Sequence, residues 1–155
     1  MRPRALIDLA NYCRGFAVNL GHSKIDVNDI QKGIGAFSSD LVKDIGFEIR
    51  DVFPAAENVL YAFIDEHQTL PKDRLHLLLE QGGIPKGTIE PIVNILLWYG
   101  VLGVRKIDGS VVYIYNVNYE MAVLRGIIQK LQSDGIVFVV NPAFIPGLQM
   151  REDRL

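Results

Sequence analysis

PKDRLHLLLEQGG (71–83), KGTIEPIVNILLWYG (86–100) and GVRKIDGSVVYIYN (103–116) follow one another with almost nothing between them. The first two carry apolar residues at helical spacing: Leu75, Leu78 and Leu79, then Ile89, Ile92, Val93 and Leu96. Gly82-Gly83 ends the first, and Thr88 is placed to cap the second, which tolerates Pro91 in a first turn whose N–H groups have no helical partner. The third stretch sets Asp108-Gly109 between two β-branched and aromatic runs, the signature of a hairpin closed by a type I′ turn. Upstream, PAAENVLYAFIDEHQ (54–68) reads as one more helix, opened by Pro54 and burying Val59, Leu60, Phe63 and Ile64. Leu70 adds a short edge strand before Pro71.

Three helices and a hairpin within residues 53–118 match the order of a winged helix-turn-helix. The segments around this unit extend it. Residues 2–20 hold a helix with Leu6, Leu9, Cys13, Phe16 and Ala17 along one face, stopped by Gly21. Asp26 caps a second helix to about Phe37, and Ser38-Ser39 caps a third on which Leu41, Ile45 and Ile49 recur every four residues. Gly33, Gly35 and Gly46 weaken these helices. After the wing, 119–131 is amphipathic, and the β-branched run 136–140 is a buried strand ended by Asn141-Pro142. The expected fold is therefore mainly α with a small β-hairpin wing. A helical unit at 1–52 precedes the winged helix at 53–118, a helix and strand at 119–148 pack on it, and 149–155 is a loose tail.

With 49% hydrophobic and 22% charged residues, the 155-residue chain has the composition of a globular protein able to bury a core. A net charge of −2 gives no general attraction to nucleic acid or anionic membranes. One cysteine, Cys13, excludes an internal disulfide and a four-cysteine zinc site, and no run is long enough to span a bilayer. A soluble, cytoplasmic protein is the expectation. Catalysis finds no footing: P-loop, dinucleotide, zinc-protease and serine-hydrolase motifs are all missing. His22, His67 and His76 stand singly, so no metal, cofactor or catalytic residue is expected, and Cys13 reads as core filler. Gly82 to Gly87 lacks P-loop spacing and reads as a plain turn.

DNA contact would fall to Lys86, with Asn94 reading an adenine edge and Arg105-Lys106 of the wing on the phosphates. The face is poor for that purpose, because residues 53–118 carry five basic against seven acidic side chains. The third helix is apolar nearly all round, including Ile95, Leu97, Trp98 and Tyr99, which suits a protein contact better.

The stretch RPRALIDLANYCRGFAVNLGHSKIDVNDI (2–30) resembles the helical lid of AAA-type and related P-loop ATPases. An arginine at the start of a lid helix and a glycine-led connection, here Gly21 through Ile25 to Asp29-Ile30, carry the likeness. FSSDLVKDI (37–45) and FVVNPAF (138–144) look like the C-terminal part of a prokaryotic ATPase of the origin-recognition plan, in which a winged helix follows the lid. The resemblance implies that Arg2 or Arg4 corresponds to the lid's phosphate-sensing arginine and that the partner is a P-loop ATPase core or another subunit. The chain departs from that family by lacking the Walker motifs, so it should hydrolyse nothing alone. The leading expectation is a non-catalytic interaction or regulatory module. The alternative is a stand-alone DNA-binding regulator using Lys86, Asn94, Arg105 and Lys106.

Overall fold

A computed structural model describes residues 3–131 and 135–153. Helix α1 (Pro3–Asn19) turns at Gly21, whose φ of 74° lies in the left-handed region, and runs back along α2 (Val27–Val52). Asp26 caps α2 as its sequence requires. Its carboxylate accepts from the Asp29 N–H at 2.9 Å, while the Asp29 carboxylate accepts from the Asp26 N–H at 3.1 Å, a capping box.

The two helices expected over 26–52 are one. Ser38 does not cap; it sits fully buried in mid-helix. Its hydroxyl donates to the Ala143 carbonyl at 2.6 Å and accepts from the Gly147 N–H at 2.8 Å. A tertiary contact takes the hydrogen bonds that would otherwise have made it a helix start.

The helix expected over 54–68 is replaced by two 3₁₀ turns, Pro54–Ala56 and Val59–Phe63, which still bury Ala56, Val59, Leu60 and Phe63. The cause lies at the other end of the chain. Glu66 O accepts from the Arg151 N–H at 2.8 Å and the Gln68 N–H donates to Arg151 O at 3.0 Å, so these backbone groups bond the C-terminal segment instead of a helix. Asp65, at φ 61°, turns its carboxylate to Arg151 in a bidentate pair of 2.9 and 2.7 Å. The expected loose tail is thereby corrected through Arg151, and Met150 is buried.

Strand β1 (Thr69–Pro71) leads into α3 (Lys72–Gln81), α4 (Ile89–Trp98), β2 (Leu102–Arg105) and β3 (Val111–Val112). Then come α5 (Met121–Lys130), β4 (Val137–Val140) and the short α6 (Ile145–Leu148). The fold is mainly helical with a small antiparallel sheet of order β1-β4-β2-β3. The run 136–140 is thus more than a covering strand: β4 is central, pairing Val139 with Thr69 on one side and with Gly103 on the other.

The hairpin stands where Asp108-Gly109 put it, but its turn is not type I′. Only Gly109, at φ 84°, is left-handed. Gly109 N–H donates to Lys106 O at 2.9 Å and Lys106 N–H to Ser110 O at 2.8 Å, which makes a three-residue loop closed by a left-handed glycine. Asp108 accepts from the Ser110 hydroxyl and N–H, bonds that hold its carboxyl down to about 2. Thr88 is likewise no side-chain cap; its hydroxyl donates back to Pro85 O at 2.8 Å.

The core gathers Phe63, Leu75, Leu79, Ile92, Leu96 and Leu102 with Leu124, Val140 and Leu148. Val42 and Ile49 bring the second half of α2 into it. The first half belongs to the α1 hairpin, where Gly33 meets Cys13 so closely that a Cβ would lie 2.5 Å from its Sγ. Among the described residues no helix is long and apolar enough to cross a membrane.

Candidate functional site

A cleft of about 1100 Å³ opens between the α1–α2 hairpin and the end of α4. Its floor is set by Asn141, whose side chain donates to Gly100 O at 3.0 Å and accepts from the Ala143 N–H at 3.1 Å. Those bonds join the corner after α4 to the turn before α6. One wall is acidic. Asp40, Asp44 and Glu48 recur every four residues on α2, which places them on one face, and Asp8 lies across from them on α1.

Among the described residues, the cleft is lined by no lysine or arginine. Asp40 is partly engaged, accepting from the Tyr12 hydroxyl and lying 3.5 Å from Lys43. The Tyr12 bond, ahead of Lys43, holds the Asp40 carboxyl below the usual range, and it raises the Tyr12 phenol in turn. Asp8, Asp44 and Glu48 have no basic side chain within ion-pair distance among the described residues.

The other wall is aromatic. Trp98, Tyr115 and Tyr119 are 46%, 40% and 51% exposed, high values for large rings in a folded domain. Trp98 and Tyr119 meet edge to face at 6.3 Å, and Tyr115 stacks on Tyr113 at 5.3 Å. Tyr119 is held there by uncommon backbone: Asn118 at φ 51° and Tyr119 at φ 62° are both left-handed, a conformation disfavoured for a bulky side chain. Burial raises the Tyr99 and Tyr115 phenols, so both stay neutral at physiological pH. The site offers negative charge and ring faces.

The residues expected to touch DNA are engaged separately. Lys86 lies 3.5 Å from Glu80, and Lys106 lies 3.2 Å from Asp108 within its own turn. Arg105 donates to the Thr69 hydroxyl at 3.0 Å across the sheet, and Asn94 donates to Glu90 O at 3.0 Å on its own helix. Asn94 also lines a small groove with Arg125 and Gln129 of α5, while Glu90 pairs with Lys72 at 3.1 Å. Of the arginines implied as phosphate sensors, Arg2 lies outside the described residues, as does the side chain of Arg4. The cleft beside that end of α1 carries carboxylates, the wrong sign for a nucleotide phosphate.

Sequence reasoning missed the cleft, whose signal was present as the spacing of Asp40, Asp44 and Glu48. It also treated His22 as isolated. Its Nδ1 is 2.9 Å from Asp29 and 3.5 Å from Asp26, the one convergence of three potential metal ligands among the described residues. These contacts serve the capping box and the turn between α1 and α2. His76 sits 3.4 Å from Glu90 and His67 3.7 Å from Asp153.

Residues 1–46, which contain α1 and most of α2, match a family described as the FunZ-associated C-terminal helical domain. No curated protein and no solved structure matches the chain. The likeness that carries furthest is therefore to a C-terminal helical part, and it covers the hairpin that forms one side of the cleft.

Proposed function

We propose that the chain is a non-catalytic interaction module, and that its α1–α2 hairpin docks it onto a P-loop ATPase core. The observation that carries this reading is the outer surface of the hairpin. Leu6, Ile7, Val18, Ile30 and Ile34 are each at least 40% exposed there, in the very segment that is similar to a C-terminal helical domain. Apolar side chains clustered on one exposed hairpin mark a surface that another protein covers. The acidic neighbours of Lys86 and Lys106, Glu80 and Asp108, argue in the same direction, since they offset the positive charge that phosphate contact needs.

The test is ATP hydrolysis by a P-loop ATPase core, from the same polypeptide or encoded beside it, with the chain attached or added. A change in rate that is lost with Ile7→Asp and Val18→Asp supports the proposal; an unchanged rate with no association overturns it. Duplex DNA titrated across a salt series supplies the counter-test. A Kd tighter than about 10⁻⁶ M near physiological salt, weakened by Lys86→Ala and Arg105→Ala, would establish the DNA-binding regulator instead.

A further inference from the structure

The cleft beside the hairpin asks for an occupant of its own. We infer that it binds a basic segment of a partner protein, with arginine or lysine side chains lying between the carboxylates of α2 and the exposed rings opposite. This rests on the reading of the chain as an interaction module, but not on the ATPase core being the partner.

Charge complementarity is the first argument. Asp44, Glu48 and Asp8 have no basic partner among the described residues, and the lining holds no lysine or arginine. Three carboxylates lining one concave surface with no basic side chain among its described lining give it a negative potential that favours a cationic ligand. Their spacing is the second. Asp40, Asp44 and Glu48 step along α2 by about 6 Å each, at 1.5 Å per residue. Alternate side chains of an extended strand recur at about 6.6 Å, close to the same interval.

The rings are the third argument. Trp98, Tyr115 and Tyr119 keep large exposed areas on the facing wall, and Tyr119 does so at the cost of left-handed backbone. A guanidinium held between a carboxylate and an aromatic face gains both an ion pair and a cation–π contact. An acidic peptide, a nucleic acid or a nucleotide would meet the wrong sign. A cleft of about 1100 Å³ is also larger than one small cation would fill.

The chain's single tryptophan, Trp98, lies in the cleft, so its emission reports occupancy directly. The probe is a short capped peptide with arginine and leucine alternating, titrated into the intact chain. A saturable shift of Trp98 emission is expected, with an affinity that falls as salt rises. The double variant Asp44→Asn, Glu48→Gln should weaken it at least about tenfold, and Tyr119→Ala should weaken it with the acids intact. Neutralising Asp73 and Glu57, exposed carboxylates elsewhere, should leave it unchanged.

Circular dichroism confirms that each variant is folded. The inference is overturned by no saturation up to about millimolar peptide, by equal binding to the charge-neutralised variant, or by an equal response to the peptide with glutamate in place of arginine. A response to spermine without one to the peptide would also overturn it, identifying a small-cation site. Ile7→Asp and Val18→Asp lie outside the cleft, so their effect on ATPase docking is read separately from peptide binding.

Discussion

Gly33 carries more of this structure than its size suggests. An added Cβ would fall 2.5 Å from Cys13 Sγ and 2.9 Å from Cys13 N, and the second of these is backbone that cannot swing aside. Gly33→Ala should therefore destabilise the chain by roughly 1–3 kcal/mol through forced separation of α1 and α2. Gly35, two residues on, has nothing within 4 Å of the same position. Gly35→Ala should instead stabilise by about 0.5–1 kcal/mol, the ordinary helix preference for alanine. Urea midpoints of the two variants moving in opposite directions would verify the close approach. His22 supplies a second test at this scale. The hydrogen bond from its ring to Asp29, supported by the charges of Asp29 and Asp26 and opposed by burial and Lys32, raises the histidine above its ordinary 6.5. The same bond, ahead of the Asp26 backbone contact, lowers Asp29 below 3.8. The histidine's contribution is complete below about pH 6.5 and is lost as pH rises through the raised value. The aspartate's is complete above about 3.8 and is lost as pH falls through the lowered value. Stability from the pair should thus peak between these limits. His22→Ala should flatten the difference in urea midpoint between about pH 5 and about pH 9, and an undiminished difference would show that another group is responsible.

At the scale of elements, α2 is the spine, and Ser38 is the point where it is tied to the C-terminal segment. Ser38→Ala leaves the half-buried Gly147 N–H without its 2.8 Å acceptor and the Ala143 carbonyl without its 2.6 Å donor. A loss of roughly 1–3 kcal/mol is expected on urea denaturation, because an unsatisfied buried group costs more than a hydrogen bond contributes. Gly147→Ala is the complementary change, since its Cβ would come within 2.7 Å of the Ser38 backbone. This junction also shows where legibility stops. The sequence displayed α3, α4, the hairpin and the 136–140 strand through local periodicity and turn residues, which act over a few positions. A serine in mid-helix reads as a cap unless its partner is visible, and that partner lies more than a hundred residues away. The same holds for 54–68, where apolar spacing named Val59, Leu60 and Phe63 as buried but also Ile64, which is 49% exposed, and where Arg151 takes the backbone bonds of Glu66 and Gln68. The cleft was half legible: the acidic stripe on α2 is a spacing of four, but the rings facing it come from α4 and the segment after β3, which only the fold brings near.

Across the whole molecule, stability is unevenly distributed. The core of Phe63, Leu75, Leu79, Ile92, Leu96, Leu102 and Leu124 is fully buried and reaches only as far as Val42 and Ile49 on α2. Helix α1 packs chiefly on α2, and its buried hydrophobic side chains among the described residues are Cys13 and Ala17. Leu6, Ile7, Val18 and Leu20 of the same hairpin stay largely in water. Few buried apolar side chains mean a low free energy of local opening. Native-state hydrogen exchange should therefore find α1 amides exchanging well ahead of those in α4 and β4, in a step distinct from global unfolding. If α1 and α4 exchanged together at the global rate, the hairpin would be integral to the core. A partner that covers the outer face should slow α1 selectively, because binding stabilises only the closed hairpin. A basic peptide in the cleft should slow α1 as well, since Asp8 and Tyr12 line it. That second protection should vanish with Asp44→Asn, Glu48→Gln and survive Ile7→Asp, so one exchange experiment separates a ligand on the inner face of the hairpin from a partner on its outer face.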